Sequence, residues 1–418
     1  MRYSTSFLRT QKESPKDEVA VNARLLIRAS FIHKLMAGVY SLLPLGMRVR
    51  ERVISIIREE MNALGSAEML MPALHPKSAW ELTGRWKGLE QIMYQFKDQG
   101  GREFGLGPTH EEIIALVARQ VIVSYHDLPR SIYQIQTKFR NEQRAKSGLL
   151  RGREFTMKDL YSFHADENSL NLFYEGSKKA YRSVFERCGL KTIITEASGG
   201  DFSKEYSHEF MVEAGAGEDE IMLCRLCGWA QNTEIAEVKT KGSCPSCRDG
   251  VIEKVRSIEV GNIFKLGTRF SEPLGFLYRD VSGAQHPVVM GSYGIGIERL
   301  IGTVVEMHHD DKGIIWPREI APALAHIVLL GEDAVPFAES VYAAFTRAGL
   351  PVLFDDRQGV SAGEKLADAD LIGLPWRLVV SDKTVVQDKV EVRERKGGES
   401  RLMKIKECVH LAEREFGH

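Results

Sequence analysis

The sequence predicts an α+β protein. An antiparallel-sheet domain flanked by helices occupies residues 1–320, a small Cys-rich insert lies within it at 221–256, and a C-terminal α/β domain follows over 325–418. Three observations predict this. Side chains alternate through 131–142 and again through 151–155, with a polar turn between, as two antiparallel strands require. Two Cys-x-x-Cys pairs stand in the next stretch without regular periodicity. After Pro317 and Pro322, which mark a linker, short apolar runs alternate with amphipathic stretches, the signature of a small α/β domain.

Val49, Val53, Ile56, Ile57, Met61 and Leu64 share one helical face, and Gly65 follows as a C-cap. Residues 67–72 read as a short strand closed by Pro72. From Ser131 to Glu142, Tyr133, Ile135, Thr137 and Phe139 turn to a core, whereas Gln134, Gln136, Lys138, Arg140 and Glu142 form a face left for chemistry. The turn Ala145-Lys146-Ser147-Gly148 leads to a second strand with Arg151, Arg153 and Phe155 on one side, so that the pair carries a cationic platform lined by aromatic rings. Residues 259–266 and 286–293 read as strands. A helix starts near Gly296 with Ile297, Leu300, Ile301, Val304, Val305 and His308 at helical spacing, and it ends before Gly313. In the last domain, strands are expected at 325–330, 352–354 and 376–380 and helices at 335–348 and 362–372. A basic hairpin then spans 389–406 and turns at Lys396-Gly397-Gly398-Glu399.

Composition narrows the function classes. A chain of 418 residues exceeds what one hydrophobic core supports, so at least two domains are expected. No apolar segment is long enough for a signal h-region or a membrane span, and the cysteine pairs fit a metal site in a reducing compartment better than a disulfide framework. The expectation is therefore cytoplasmic, with no membrane partner. A net charge of -1 gives no bulk attraction to nucleic acid, so any RNA contact must come from local basic patches.

The segments Phe139-Arg140-Asn141-Glu142 with Arg151-Gly152-Arg153-Glu154-Phe155, then Gly294-Ile295-Gly296-Ile297-Glu298-Arg299, and the helix and strand ending at Pro72 resemble motifs 2, 3 and 1 of the class II aminoacyl-tRNA synthetases, in the family's order. The physics suits the residue types. An amino-acid carboxylate is already a nucleophile, so its activation needs an α-phosphate held in line with its growing charge stabilised, and arginine supplies that charge without deprotonating. The resemblance assigns Arg140 to the α-phosphate and the amino-acid carboxylate, Glu142 to the adenine amino group, Arg299 to the γ-phosphate, Phe155 to stacking on adenine, and Arg151 to ATP. Gly294 and Gly296 would let the backbone approach the nucleotide. Glu259 is a candidate contact for Mg2+ or ATP.

Within the class, Leu106-Gly107-Pro108-Thr109-His110-Glu111-Glu112, Tyr133 to Arg140, Met157-Lys158-Asp159 and Gly313-Ile314-Ile315-Trp316-Pro317 resemble the bacterial-type prolyl-tRNA synthetases over nearly the whole chain. This implies ATP with Mg2+, L-proline and tRNA(Pro) as ligands, a homodimer formed through motif 1 with Pro72 near its interface, and a proline pocket of Thr109, Glu111, Arg140 and His208. Glu111 would meet the secondary ammonium of proline. Thr109 to Glu112 also reads as a helix start with acidic first-turn residues, and His208 also reads as a core histidine. Asp356, Arg357, Lys365 and Arg377 fall where the resemblance implies an anticodon-binding domain. The basic hairpin is either an RNA contact or a solvated surface.

The chain departs from the family pattern in three places. Cys224, Cys227, Cys244 and Cys247 have the spacing of a four-thiolate structural zinc knuckle, with ordinary core or surface cysteines as the alternative. Little beyond this insert stands where many bacterial members carry a large editing domain. Ser292 stands where a cysteine is expected. A catalytically silent tRNA-binding or regulatory protein would be expected to have lost Arg140, Glu142 or Arg299, and all three are present. A class I enzyme is disfavoured by the lack of His-x-Gly-His and Lys-Met-Ser-Lys-Ser segments.

Overall fold

The computed structural model describes all residues except Asp17, Arg144, Lys146, Asp201, Ser203, Lys204, Gly417, His418 and the side chain of Phe416. Lys146 of the expected turn and the last residues of the expected 325–418 domain thus lie outside the described residues. Two compact units are found. One comprises residues 37–39 and 55–303, the other residues 1–36, 40–54 and 304–418.

In the first unit, nine strands form one sheet. They are β1 (Ala67–Glu68), β2 (Arg130–Phe139), β3 (Glu154–His164), β4 (Ile193–Ala197), β5 (Ser207–Glu213), β6 (Asp219–Cys224), β7 (Ala230–Asn232), β8 (Ile252–Gly267) and β9 (Val289–Gly296), in the spatial order β5-β4-β7-β6-β8-β9-β3-β2-β1. The central run β8-β9-β3-β2 is antiparallel. Its register sets Met157 beside Gly296, Asp159 beside Gly294, and Gly294 beside Asn262. Because side chains alternate across a strand, Phe155, Met157 and Asp159 share a face with Ser292, Gly294 and Gly296. The opposite face packs on the helix Glu167–Arg187, which buries Leu170, Tyr174, Tyr181, Val184 and Phe185 at helical spacing and is capped by Asp166.

Several expectations are corrected here. The 67–72 strand is paired at Ala67 and Glu68, with one further backbone bond from Met69 N–H to Tyr133 O at 2.8 Å, and beyond it side chains replace the ladder: Met71 N–H donates to the Gln134 side chain at 2.9 Å and the Gln136 amide donates to Met71 O at 2.6 Å. The chemical face of β2 is partly interior, since Gln134 and Lys138 are fully buried. Arg151 and Arg153 precede β3 rather than lie in it, and a 3-10 turn occupies Gly148–Leu150. The strand expected at 286–293 is two, Gln285–Pro287 and β9. The Cys-rich insert is part of the sheet: β6 pairs with the first part of β8, and β5 with the next part, so β4 to β8 close a small ring.

The helix Pro44–Ala63 is longer than the expected stretch and buries Val49, Val53, Ile56, Ile57 and Met61, and Gly65 caps it at φ 78°. The helix Ile297–Met307 follows β9 as expected and buries Ile297, Leu300, Ile301, Val304 and Val305.

In the second unit, β10 (Ala325–Leu330), β11 (Val352–Asp355), β12 (Trp376–Ser381), β13 (Val390–Glu394) and β14 (Arg401–Met403) form a sheet in the order β11-β10-β12-β13-β14. The first three are parallel, and the last two make the expected hairpin. Helices Val335–Arg347 and Ala362–Ile372 match the reading, and the amphipathic helix Ile405–Phe416 adds Cys408 and Ala412 to the core.

Candidate active site

Between the central strands and the start of the Glu111–Ala118 helix lies an open cavity of about 230 Å³. Thr109, Glu111, Arg140, Glu142, Arg151, Phe155, Gly294, Gly296 and Arg299 all line it, together with Asp159, Phe202, Glu259, Asn262 and Ser292. Residues from six separate stretches of sequence thus meet in one place.

At one end Glu111 is 2 % exposed, and each of its oxygens accepts a hydroxyl: Ser292 at 3.0 Å on Oε1 and Thr109 on Oε2. Both residues of the Glu111-Glu112 pair start the helix, but Glu112 turns away. Its carboxylate takes Arg85 at 2.9 and 3.1 Å and Thr83 at 2.8 Å, and burial raises its pKa against the pull of Arg85. Arg85 is itself buried among the rings of Trp80, Phe202 and Phe270 at about 5 Å.

At the centre, Arg140 follows the end of β2, with its backbone N–H on Arg153 O at 2.8 Å and its guanidinium 5.3 Å above the Phe155 ring. Burial, then the nearby Arg299, lowers its pKa, which arginine tolerates without losing its charge. Glu142 accepts Arg151 Nε at 2.9 Å, while Arg151 also meets Glu218 at 2.9 Å. Arg153 does not line the cavity; its Nε donates to Glu142 O, so the expected row of Arg151, Arg153 and Phe155 on one face does not form. Arg299, on the first turn after Gly296, donates to Leu150 O at 2.9 Å and pairs with Glu259 at 3.0 Å. A Cβ built on Gly294 or Gly296 would meet protein atoms no closer than 3.6 and 3.5 Å, so packing within the chain does not demand glycine at either position.

On the cavity floor, Asp159 pairs with the buried Lys138 at 2.8 Å and accepts Gln134 and Tyr161, each at 2.9 Å. Lys138 donates to His110 Nδ1 at 2.9 Å, and burial pushes His110 down to about 3, which keeps the ring neutral as an acceptor. On the β8 side, Glu209 accepts Asn232 at 3.1 Å and Asn262 at 3.4 Å. Burial and the neighbouring Glu259 push its pKa up to about 8, and the same two causes push Asp219 up to about 6.

The remaining sequence candidates lie elsewhere. His208 does not line the cavity; its Nδ1 meets Tyr174 OH at 2.9 Å. Cys224, Cys227, Cys244 and Cys247 bring all four sulfurs within 4.8 Å of one another, with Cys224–Cys247 and Cys227–Cys244 each at 3.7 Å. In the second unit, Asp356 meets Arg2 and Ser4, and Arg357 is held by Asp355 and Asp368. Lys365 is buried and donates to Leu329 O, and Arg377 pairs with Asp370 at 2.7 Å.

From the sequence, Asp159 is read only as part of a motif and Ser292 only as a departure, neither with a place in the site, and Asn262 and Phe202 are not named. Period two continued from Phe155 would have found Asp159, whereas Ser292 and Asn262 stand on strands assembled by long-range sheet pairing and Phe202 reaches the cavity from a turn outside the sheet, which no local pattern reveals.

Comparison with known proteins gives a consistent picture. Residues 94–308 match the tRNA synthetase class II core domain (G, H, P, S and T), and residues 325–415 match an anticodon binding domain. The chain is 34% identical to "Proline--tRNA ligase 1" of Anaeromyxobacter dehalogenans over 565 positions, covering 99% of this chain and 98% of that one. It is also 34% identical to a proline–tRNA ligase of Geotalea daltonii over 559 positions, covering 98% of each. Among solved structures, the prolyl-tRNA synthetase of Cryptosporidium parvum with halofuginone and AMPPNP superposes with TM-score 0.78 at 18% identity, over 94% of this chain and 76% of that one. The Giardia lamblia enzyme with prolyl-adenylate gives 0.76 at 21% identity, over 92% and 74%. At these identities the structures establish the fold and the sequence relatives establish the family: the chain belongs to the proline–tRNA ligases, within the class II tRNA synthetases.

Proposed function

We propose that this chain activates L-proline with ATP and transfers the prolyl group to tRNA(Pro). The observation that carries the reading is the convergence of Glu111, Arg140 and Arg299 on one cavity. A proline carboxylate oxygen bonds to the α-phosphorus as the bond from that phosphorus to its bridging oxygen breaks, and pyrophosphate leaves. The 3′-terminal ribose hydroxyl of the tRNA then takes the prolyl group, and AMP departs. Arg140 binds the carboxylate and α-phosphate, Arg299 the γ-phosphate, and Glu142 the adenine amino group. Phe155 stacks on adenine, Arg151 neutralises phosphate, and Gly294 and Gly296 leave room for the nucleotide. Glu111, oriented by two hydroxyls, receives the secondary ammonium of proline beside Thr109. His208, held by Tyr174, supports its strand rather than touching proline.

Hard oxygen donors suit Mg2+, and Glu259 at the cavity wall is the residue that would hold it beside the phosphates, adding charge neutralisation. The four cysteines fit zinc: tetrahedral Zn–S bonds of about 2.3 Å place sulfurs roughly 3.8 Å apart, close to the spacing found, and four protein thiolates make the site structural. Residues 1–320 act as the catalytic part and 325–418 as the anticodon-binding part, where Asp356, Arg357, Lys365 and Arg377 shape the RNA face. A cytoplasmic homodimer completes the reading, supported by the exposed Leu70 and Leu74 flanking Pro72. No described helix is long and apolar enough to cross a membrane. The test is pyrophosphate exchange with each of the twenty amino acids. Proline is expected to support the fastest exchange, and exchange driven best by threonine or by none of them would refute the reading.

A further inference from the structure

The first four residues belong to the fold of the RNA-binding half. Tyr3 N–H donates to Phe354 O at 2.8 Å and Phe354 N–H to Met1 O at 2.9 Å, so residues 1–3 extend the sheet as a parallel strand on the open edge of β11. Side chains reinforce the pairing. Arg2 grips Glu339 with both guanidinium nitrogens, at 2.7 and 2.6 Å, and reaches Asp356 at 3.2 Å. Ser4 places its N–H and its hydroxyl on the two oxygens of Asp356, at 2.9 and 2.8 Å. Tyr3 is 4 % exposed, and the Arg357 guanidinium lies 3.8 Å from its ring centroid. Arg357 also pairs with Asp355 at 2.6 Å and Asp368 at 2.8 Å.

These contacts fall on one turn. Asp356 and Arg357 directly follow β11, at the carboxyl end of the three parallel strands, and open α/β sheets bind their ligands at that edge. Within the domain Asp355 and Asp368 tie the turn through Arg357, and residues 1–4 add a strand partner, a stacked ring and three hydrogen bonds to Asp356. A flexible turn loses affinity through the entropy of ordering it on RNA, and a preformed one does not.

We propose that Arg2, Tyr3 and Ser4 are positioning residues for tRNA, preorganising the Asp356–Arg357 turn so that the chain's first residues set the KM for tRNA(Pro) while leaving amino-acid activation alone. The inference rests on the reading of that turn as an RNA face.

The test compares full-chain wild type with Arg2→Ala, Tyr3→Ala, Tyr3→Phe, Ser4→Ala and Arg357→Ala. Charging of a tRNA(Pro) transcript and proline-dependent pyrophosphate exchange are measured for each. Arg2→Ala and Tyr3→Ala are expected to raise the KM for tRNA at least fivefold with exchange within twofold of wild type, and Tyr3→Phe, which keeps the stacked ring, to behave like wild type. If Tyr3→Ala does not fold, Ser4→Ala, which removes one exposed hydroxyl, still tests the turn and is expected to raise the KM about twofold. An Arg357→Ala variant with raised KM beside unchanged Arg2→Ala and Tyr3→Ala variants would overturn the positioning role and keep the RNA face. An unchanged Arg357→Ala variant would overturn the RNA face itself. Equal losses in charging and exchange would reduce residues 1–4 to general stability and sink the proposal.

Discussion

At the scale of single residues, the proposed proline pocket depends on Glu111 being a fixed acceptor. Its two oxygens take different hydroxyls, Ser292 and Thr109, so the carboxylate plane cannot rotate without breaking one of them. Glu111→Gln replaces an acceptor-only group with one that presents an N–H to a hydroxyl or to the substrate ammonium. Losing a charge-assisted bond of about 1.5–3 kcal/mol predicts a KM for proline raised roughly 10- to 150-fold, with the KM for ATP changed little. Exchange kinetics with each substrate varied in turn checks it, and an equal rise in both KM values would contradict it. Glu111 and Arg140 were legible because each sits in a run of distinctive residue types. Ser292 was noticed only as a departure, and its bond to Glu111 spans 181 residues of sequence, which no local pattern encodes. The anticipated pocket histidine shows the converse: His208 lies on an alternating strand, and the alternation does not reveal that Tyr174 holds its ring.

At the scale of elements, the Cys-bearing hairpin is joined to the cavity wall through β8, whose first part pairs with β6 and whose later part carries Glu259 and Asn262. Purified protein is expected to hold one zinc per chain. Cobalt substitution should give the intense visible absorption of a tetrahedral thiolate site, and a colourless cobalt form with no bound metal would contradict the assignment. Asn232, from the same hairpin, donates to Glu209, which has Glu259, Asp219 and Glu234 as further acidic neighbours. The folded state keeps the Glu209 proton up to about pH 8, whereas the unfolded chain releases it near the ordinary glutamate range. The folded form therefore binds more protons between those values, and this group's contribution to stability falls as pH rises from about 4.5 to about 8, then levels. Glu209→Gln removes this titrating group, so its melting temperature should exceed that of wild type at pH 8.5 and match it near pH 4. An advantage that is independent of pH would contradict the titration. The strands of the second unit were legible from periodicity, and so was the helix after Gly296. The Glu167–Arg187 helix was not read because its buried face includes Tyr174, Ser177 and Tyr181, which blur an apolar stripe. The insert was read as separate because nothing in its composition shows that β8 runs through sixteen residues and borrows its strands.

At the scale of the whole molecule, the alignment to the Anaeromyxobacter relative is longer than this chain, so that relative carries positions with no counterpart here. A pocket built for proline excludes alanine only by fit, and about 1–3 kcal/mol per missing methylene leaves some misactivation. The pure protein is expected to form a little alanyl-adenylate and to leave Ala-tRNA(Pro) intact, and rapid deacylation of that species would contradict this. The order of core and C-terminal domain was legible because strand and helix periods change at Pro317 and Pro322, but the place of residues 1–36 was not, since nothing local in Arg2 or Tyr3 shows that they pair with β11. In the proposed reaction Arg140 and Glu111, which line one cavity, act on one and the same bound adenylate. Calorimetric titration with a non-hydrolysable prolyl-sulfamoyl adenosine tests it most directly. Tight binding to wild type is expected, weakened more than tenfold by Arg140→Ala and, separately, by Glu111→Gln. Undiminished binding by either variant would contradict it.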